Sequence, residues 1–146
     1  MKNLQRLLFP FFVLVAVLSA FGVSGCRTQP INTQTDDVVF TLKTVLVDGR
    51  MSFIGAGGEI DGAVNPDLIV RAGDAIRLVI VNGDDIPHDI AIPDLNVHVP
   101  LLTGREQAAE LTFQAGQPDI FTYYCTVSGH RQTGMEGKLI VKGREQ

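Results

Sequence analysis

Three side chains that favour soft metal ions stand at equal steps in one segment, Tyr124–Gly137, which reads Y-C-T-V-S-G-H-R-Q-T-G-M-E-G. They are Cys125, His130 and Met135. A thiolate, an imidazole and a thioether are three of the four groups that hold a single copper ion in an electron-transfer site, and the fourth is a second imidazole. His88, in I-P-H-D-I, is the candidate for that fourth place. Copper(I) prefers sulfur and few ligands, and copper(II) prefers nitrogen and a tetragonal field. A His₂Cys set with a weak axial thioether suits both states, so little has to move when an electron arrives.

Such a site needs a scaffold that brings a distant histidine to a tight loop. Gly129, Gly134 and Gly137 let the loop double back, and Pro87 restricts the backbone just before His88. In Ile120–Cys125 the alternation puts Phe121, Tyr123 and Cys125 on one face and Thr122 and Tyr124 on the other, so the thiol ends a row of core aromatics. Leu139 and Val141 continue that core after the loop. Other strand-like runs are Val38–Val47, Met51–Ile54, Leu68–Val70, Ile76–Val81, His88–Ile92, Glu110–Phe113 and Lys138–Val141. Turn signals separate them, among them Asp48-Gly49, Asn65-Pro66, Gly73-Asp74 and Asn82-Gly83. The pattern predicts an all-β sandwich of about seven to eight strands. Pro100–Ala109 reads as a long loop or one short helix.

Taken singly, each donor has an ordinary explanation. His88 fits a solvated turn, His130 an exposed loop, Met135 a core filler, and Cys125 a small buried hydrophobe. It is their combination on a closing Gly-rich loop that points to one metal. Cys125 with His130 also has the makings of a nucleophile–base pair, but Met135 and the strand pattern favour copper. His98, in N-V-H-V, alternates with Val97 and Val99 and reads as an exposed strand residue without a metal role. Gly55-Ala56-Gly57-Gly58 lacks the Gly-Lys-Ser/Thr of a phosphate loop and reads as a flexible connection between strands.

The 146 residues suit one domain plus a targeting segment. Lys2 and Arg6 precede an apolar run from Leu7 to Leu18, and small residues lead to Val23-Ser24-Gly25-Cys26. This is the form of an export signal. Its end resembles a bacterial lipobox, which implies cleavage before Cys26 and a diacylglyceryl group on the Cys26 sulfur. The competing reading is an uncleaved anchor over Leu7–Val23, short for a span and interrupted by Pro10. Either way a soluble domain is tethered to a membrane. The expected organisation is a signal peptide over 1–25, a flexible tether over 26–37, and a folded domain over 38–146. Cleavage takes the formal charge from −4 to −6. That balance disfavours nucleic acid and leaves room for a basic protein partner. With Cys26 lipidated, only Cys125 remains, so no intrachain disulfide forms. An unpaired thiol in an oxidising compartment is protected by metal ligation.

The segments F-T-Y-Y-C-T-V-S-G-H-R-Q-T-G-M-E-G-K-L-I-V and P-H-D-I resemble the cupredoxin family of mononuclear blue-copper proteins. G-G-E-I-D-G-A-V-N-P-D-L-I-V-R-A-G-D-A-I-R-L-V-I-V-N is similar to the first strands of cupredoxin domains in multicopper oxidases and copper nitrite reductases. The resemblance covers about Phe53 to Lys142. It implies a Greek-key β-sandwich or barrel and one copper ion (Cu+/Cu2+) on His88, Cys125, His130 and Met135. One departure is Asp89, where many members have Asn. The catalytic relatives carry His before the cysteine, or on both sides of it, where this chain has Tyr124 and Thr126. An oxidase-type binuclear centre needs a second loop cysteine, and a red-copper site needs His where Ser128 stands.

The resemblance therefore implies an electron carrier rather than an enzyme, with His130 as the electron port and apolar residues around the loop docking a redox partner. A c-type cytochrome or a copper reductase fits that role. The expected location is the bacterial cell envelope, exported and lipid-anchored on the periplasmic side or the cell surface. The alternatives are a copper-binding or delivery protein of the envelope, and an accessory subunit of a copper enzyme.

Overall fold

A computed structural model of the chain describes residues 37–144. The expected signal peptide, the expected lipidation residue Cys26 and most of the expected tether lie outside the described residues. Nine strands run in order: β1 Asp37–Val47, β2 Arg50–Gly55, β3 Leu68–Arg71, β4 Ala75–Val81, β5 His88–Ile92, β6 Val97–Leu102, β7 Ala108–Gln114, β8 Asp119–Tyr124 and β9 Glu136–Lys142. They form two sheets, with strand orders β2-β1-β4-β7 and β3-β9-β8-β5-β6. This is the expected all-β sandwich. Among the described residues, no helix is long and apolar enough to cross a membrane.

Side-chain alternation builds the core. In β1, Phe40, Leu42 and Thr44 point inward, and in β4, Ile76, Leu78 and Ile80 do. The two strands are parallel, and their register sets Phe40 beside Leu78 and Leu42 beside Ile80. From the other sheet come Leu68 and Val70, Tyr123, and Leu139 and Val141. β5 is buried along its whole length because it lies between β8 and β6. The Asp48-Gly49 turn behaves as its sequence predicts: both residues have positive φ, as a two-residue hairpin between β1 and β2 requires.

One strand departs from the sequence-based expectation. Pro100–Ala109 contains no helix. Its first part completes β6, and its last part opens β7. Pro100 hides the continuation of the Val97–Val99 strand from sequence reading, because proline cannot donate to a ladder. β6 is the edge of its sheet, where the missing donor is harmless. The turn beyond it is closed by the Gln107 Oε1, which accepts from the Thr103 and Gly104 N–H groups at 2.7 and 3.0 Å. The 55–58 connection is also tighter than a flexible link. Gly55 belongs to β2, and a Cβ there would collide with the Ile60 carbonyl.

Candidate metal centre

The site lies where β5 begins and where β8 gives way to β9. His88 is the first residue of β5, directly after Pro87. Cys125 follows the last residue of β8, and Met135 precedes the first of β9. Tyr124 and Glu136 pair across those two strands, so Cys125 and Met135 meet at the base of the loop. The Cys125 N–H donates to the Met135 carbonyl at 3.2 Å, and the Met135 N–H donates to the His130 carbonyl at 3.1 Å. His130 opens a single 3-10 turn, Arg131–Thr133, that ends on Gly134. Gly129 and Gly134 both have positive φ, as the doubled-back loop requires. Gly137 serves a different end. A Cβ there would strike the Tyr123 ring, which is fully buried with its hydroxyl donating to the Pro66 carbonyl at 2.8 Å.

His88, Cys125 and His130 converge as the sequence predicted. Their ligand atoms all lie within 4.8 Å of one another, and among the described residues they are the one such group of three. The Cys125 sulfur is 3.4 Å from His130 Nδ1 and 4.0 Å from His88 Nδ1. Both inward nitrogens therefore have the soft sulfur as neighbour rather than a strong hydrogen-bond partner. Met135 is fully buried in the same core cluster. Of the four, His130 is the most exposed at 9%.

Three further residues brace the site: Asp89, which the sequence singled out, and Asp84 and His98, whose roles escaped sequence reading. Asp84 sets its carboxylate on the outer nitrogen of His88, with Oδ1 3.2 Å from Nε2. Asp89 is buried and spans the two ligand segments. Its Oδ1 accepts from the Thr126 N–H at 2.6 Å, and its Oδ2 accepts from the Thr126 hydroxyl. Oδ2 also accepts from His98 Nε2 at 2.8 Å. His98 is 59% exposed, as expected of it, yet it is the partner of a buried carboxylate. The sequence signal for Asp84 was its place in the Asn82-Gly83-Asp84 turn. For His98 it was the Asp at position 89, since a buried carboxylate needs donors.

The electrostatics suit a metal ligand set. Burial lowers His88 below the ordinary imidazole value, Asp84 opposes this, and His130 adds to the lowering. A neutral imidazole is the form that ligates metals. Burial pushes the Cys125 thiol up to about 11, against the pull of the Asp89 and Val127 N–H groups directed at it. Burial would raise the Asp89 carboxyl, but the Thr126 hydroxyl, His98 and the Thr126 N–H outweigh it and hold it below its ordinary value. A trigonal His₂Cys set with a buried methionine is the donor chemistry of a type 1 copper site. The residues present fit one copper ion held by His88, Cys125 and His130 with Met135.

Two sheets in this arrangement, with that donor set at one end, define a cupredoxin fold carrying a type 1 copper site. The solved structures it is similar to agree. Rusticyanin from Thiobacillus ferrooxidans superposes with a TM-score of 0.53 at 24% identity, covering 73% of this chain and 78% of that one. A copper nitrite reductase from Nitrosomonas europaea superposes at 0.53 and 19% identity, covering 75% of this chain and 43% of that one. At these identities the likeness is one of fold. Among curated proteins, the nitrous-oxide reductase of Cupriavidus necator is 35% identical over 77 residues, 50% of this chain and 12% of that protein. The copper-resistant cuproprotein CopI of Rubrivivax gelatinosus is 26% identical over 93 residues, 51% of this chain and 56% of that protein. The chain thus matches about an eighth of the length of the first and about half of the second. No protein-family model matches it.

Proposed function

We propose that this protein is a single-electron carrier of the cell envelope, exported by its N-terminal signal and held at the membrane through a lipid on Cys26. The observation that carries the reading is the three-donor cluster of His88, Cys125 and His130, closed by a buried methionine and braced from behind. A copper ion bound there supplies one accessible oxidation step, between its +1 and +2 states. The residues do the rest. His88, Cys125 and Met135 are shut away from water, and the backbone bonds of the loop hold them in place, so few atoms rearrange when charge changes. His130 is the ligand nearest the surface and is the electron port. Tyr124 stands where copper nitrite reductases carry a second-copper histidine, which argues against catalysis by this chain alone. A c-type cytochrome or a copper reductase is the partner of matching chemistry, and the acidic domain favours a basic docking face.

The test is optical and kinetic. The domain from Cys26 onward, loaded with copper(II), is expected to show an intense thiolate-to-copper charge-transfer band. Stopped-flow reduction by a cytochrome is expected to be fast, with copper retained. A colourless loaded protein sinks the proposal. The second reading is copper handling, favoured by the similarity to a copper-resistant cuproprotein. Under that reading electron transfer is slow and copper passes readily to a chelator. A third role, accessory subunit of a copper enzyme, predicts co-purification with a catalytic chain. For the anchor, Cys26→Ala is expected to release the protein from membranes; unchanged membrane extraction points instead to a helical anchor.

A further inference from the structure

The two imidazoles of the site are not equivalent, and the difference lies behind them. Among the described residues the His130 ring bonds to Cys125, and at 9% exposed it is the more accessible of the two imidazoles. His88 is fully buried and backs onto a carboxylate: Asp84 Oδ1 and Oδ2 lie 3.2 and 3.4 Å from its Nε2. This acid is not a loose surface group. Its Oδ1 also accepts from the Ile86 N–H at 2.8 Å, and its own N–H donates to Asn82 Oδ1 at 3.0 Å. Asn82 is itself fully buried. Its Nδ2 donates to the Ile86 carbonyl at 2.8 Å, and its Oδ1 accepts from the Thr44 hydroxyl at 3.1 Å. The neighbouring Asp85 shows the contrast: its side chain is 77% exposed and bonds to Arg105 instead.

An ionised carboxylate can only accept hydrogen bonds. The hydrogen between Asp84 and His88 therefore sits on Nε2, which leaves the Nδ1 lone pair directed at Cys125 and His130. A carboxylate in that position also makes the ring a more basic ligand, and it sets one negative charge against the site. A nearby negative charge stabilises a divalent ion more than a monovalent one. We infer that Asp84 is a positioning residue of the copper site, which fixes the His88 tautomer and biases the centre toward its oxidised state. This rests on the copper reading above.

The experiment compares Asp84→Ala, Asp84→Asn and the control Asp85→Asn with the wild type, in two arms. The first needs no metal. Nitrogen-15 NMR of the apoprotein is expected to show His88 as the Nε2–H tautomer in the wild type and in Asp84→Asn, whose amide oxygen still accepts. In Asp84→Ala it is expected to show a mixture. The second arm measures copper(II) and copper(I) affinities by competition with chelators. Asp84→Ala is expected to weaken copper(II) binding about 10- to 100-fold. Asp84→Asn is expected to weaken copper(II) more than copper(I), raising the reduction potential, while Asp85→Asn changes neither. The inference fails if Asp84→Ala keeps one tautomer and its copper(II) affinity stays within twofold of wild type. It fails in its charge half if Asp84→Asn weakens both oxidation states equally. Should Asp84→Ala not fold, Asp84→Asn still decides, because its amide oxygen preserves the bond to Ile86. A wild type that binds no copper overturns the copper reading, while the tautomer arm still reports on Asp84.

Discussion

Two segments supply the ligands, and they are held in opposite ways. The loop from Cys125 to Met135 carries three donors and is closed mostly by itself. Its backbone bonds run between its own residues, from Cys125 to Met135, from His130 to Val127 and from Met135 to His130. Two left-handed glycines make the turns. Asn65 Nδ2, donating to the Gly134 carbonyl at 2.8 Å, is an outside tie. The ledge from Asn82 to His88 carries one donor and has no residue at positive φ. It is braced by side chains: Thr44 of β1 from outside, and its own Asn82, set between Ile86 and Leu102, and Asp84 behind His88. A Cβ on Gly83 would collide with the Thr44 carbonyl, so the ledge is pressed onto β1. The lesson is that the loop depends on backbone conformation, while the ledge depends on a few buried polar side chains. Asp89 clasps one to the other through Thr126.

The contrast can be broken from either side. The largest effect is expected at the loop's base. Cys125→Ser should abolish the charge-transfer band completely while the fold survives, read by visible absorption beside far-ultraviolet circular dichroism. Next comes the ledge. Asn82→Ala strands the Ile86 and Leu102 carbonyls and the Asp84 N–H, each left unpaired at about 1–3 kcal/mol. A loss of about 3 kcal/mol is expected in urea unfolding of the apoprotein, with a shifted charge-transfer band once loaded. A variant as stable as wild type would show that the ledge does not rest on Asn82.

Gly134→Ala tests the loop without touching any contact, because no atom lies near the added methyl. Its φ of 103° lies in the left-handed region, so the cost is conformational, about 1–2 kcal/mol. Thermal melts should fall by roughly 4 °C per kcal/mol, and His88 resonances in the ledge should stay in place. Movement of those resonances would mean the two segments are one unit.

Copper uptake should also depend on pH in a defined direction. The buried Cys125 thiol, at about 11, is protonated at neutral pH, and the ligand must be a thiolate. Between neutral pH and about pH 11, each copper should displace one proton from that thiol. Affinity then rises about tenfold, or about 1.4 kcal/mol, per pH unit. Titration calorimetry in buffers of different ionisation enthalpy counts that proton; zero released would mean the apo thiol is already ionised.

The smallest effect concerns the clasp. His98→Ala removes one donor from the buried Asp89. It should cost about 0.5–1 kcal/mol in the native background and much less with Asp89→Asn, whose amide needs no counter-charge. Equal costs in both backgrounds would mean that His98 does not act through Asp89.

Much of this was legible in the sequence because it depends on local chemistry. The spacing of Cys125, His130 and Met135, the turn at Asp48-Gly49 and the alternation in β1, β4 and β8 follow from residue type and period alone. β6 was only half legible: Val97–Val99 reads as strand, but Pro100 argues against its continuation unless its edge position is known. Asp84 and His98 were missed because their roles depend on partners that folding brings within reach: the ring of His88 and the buried side chain of Asp89. By itself the sequence offered four candidate copper donors through their chemistry and an all-β sandwich through its periodicity, and the resemblance of its motifs to cupredoxins joined the two. Only the tertiary structure decided how the donors are held. It gave His88 and His130 different surroundings, and it turned an exposed histidine and a turn aspartate into parts of the site, because burial makes every unpaired polar group costly and so dictates its partner.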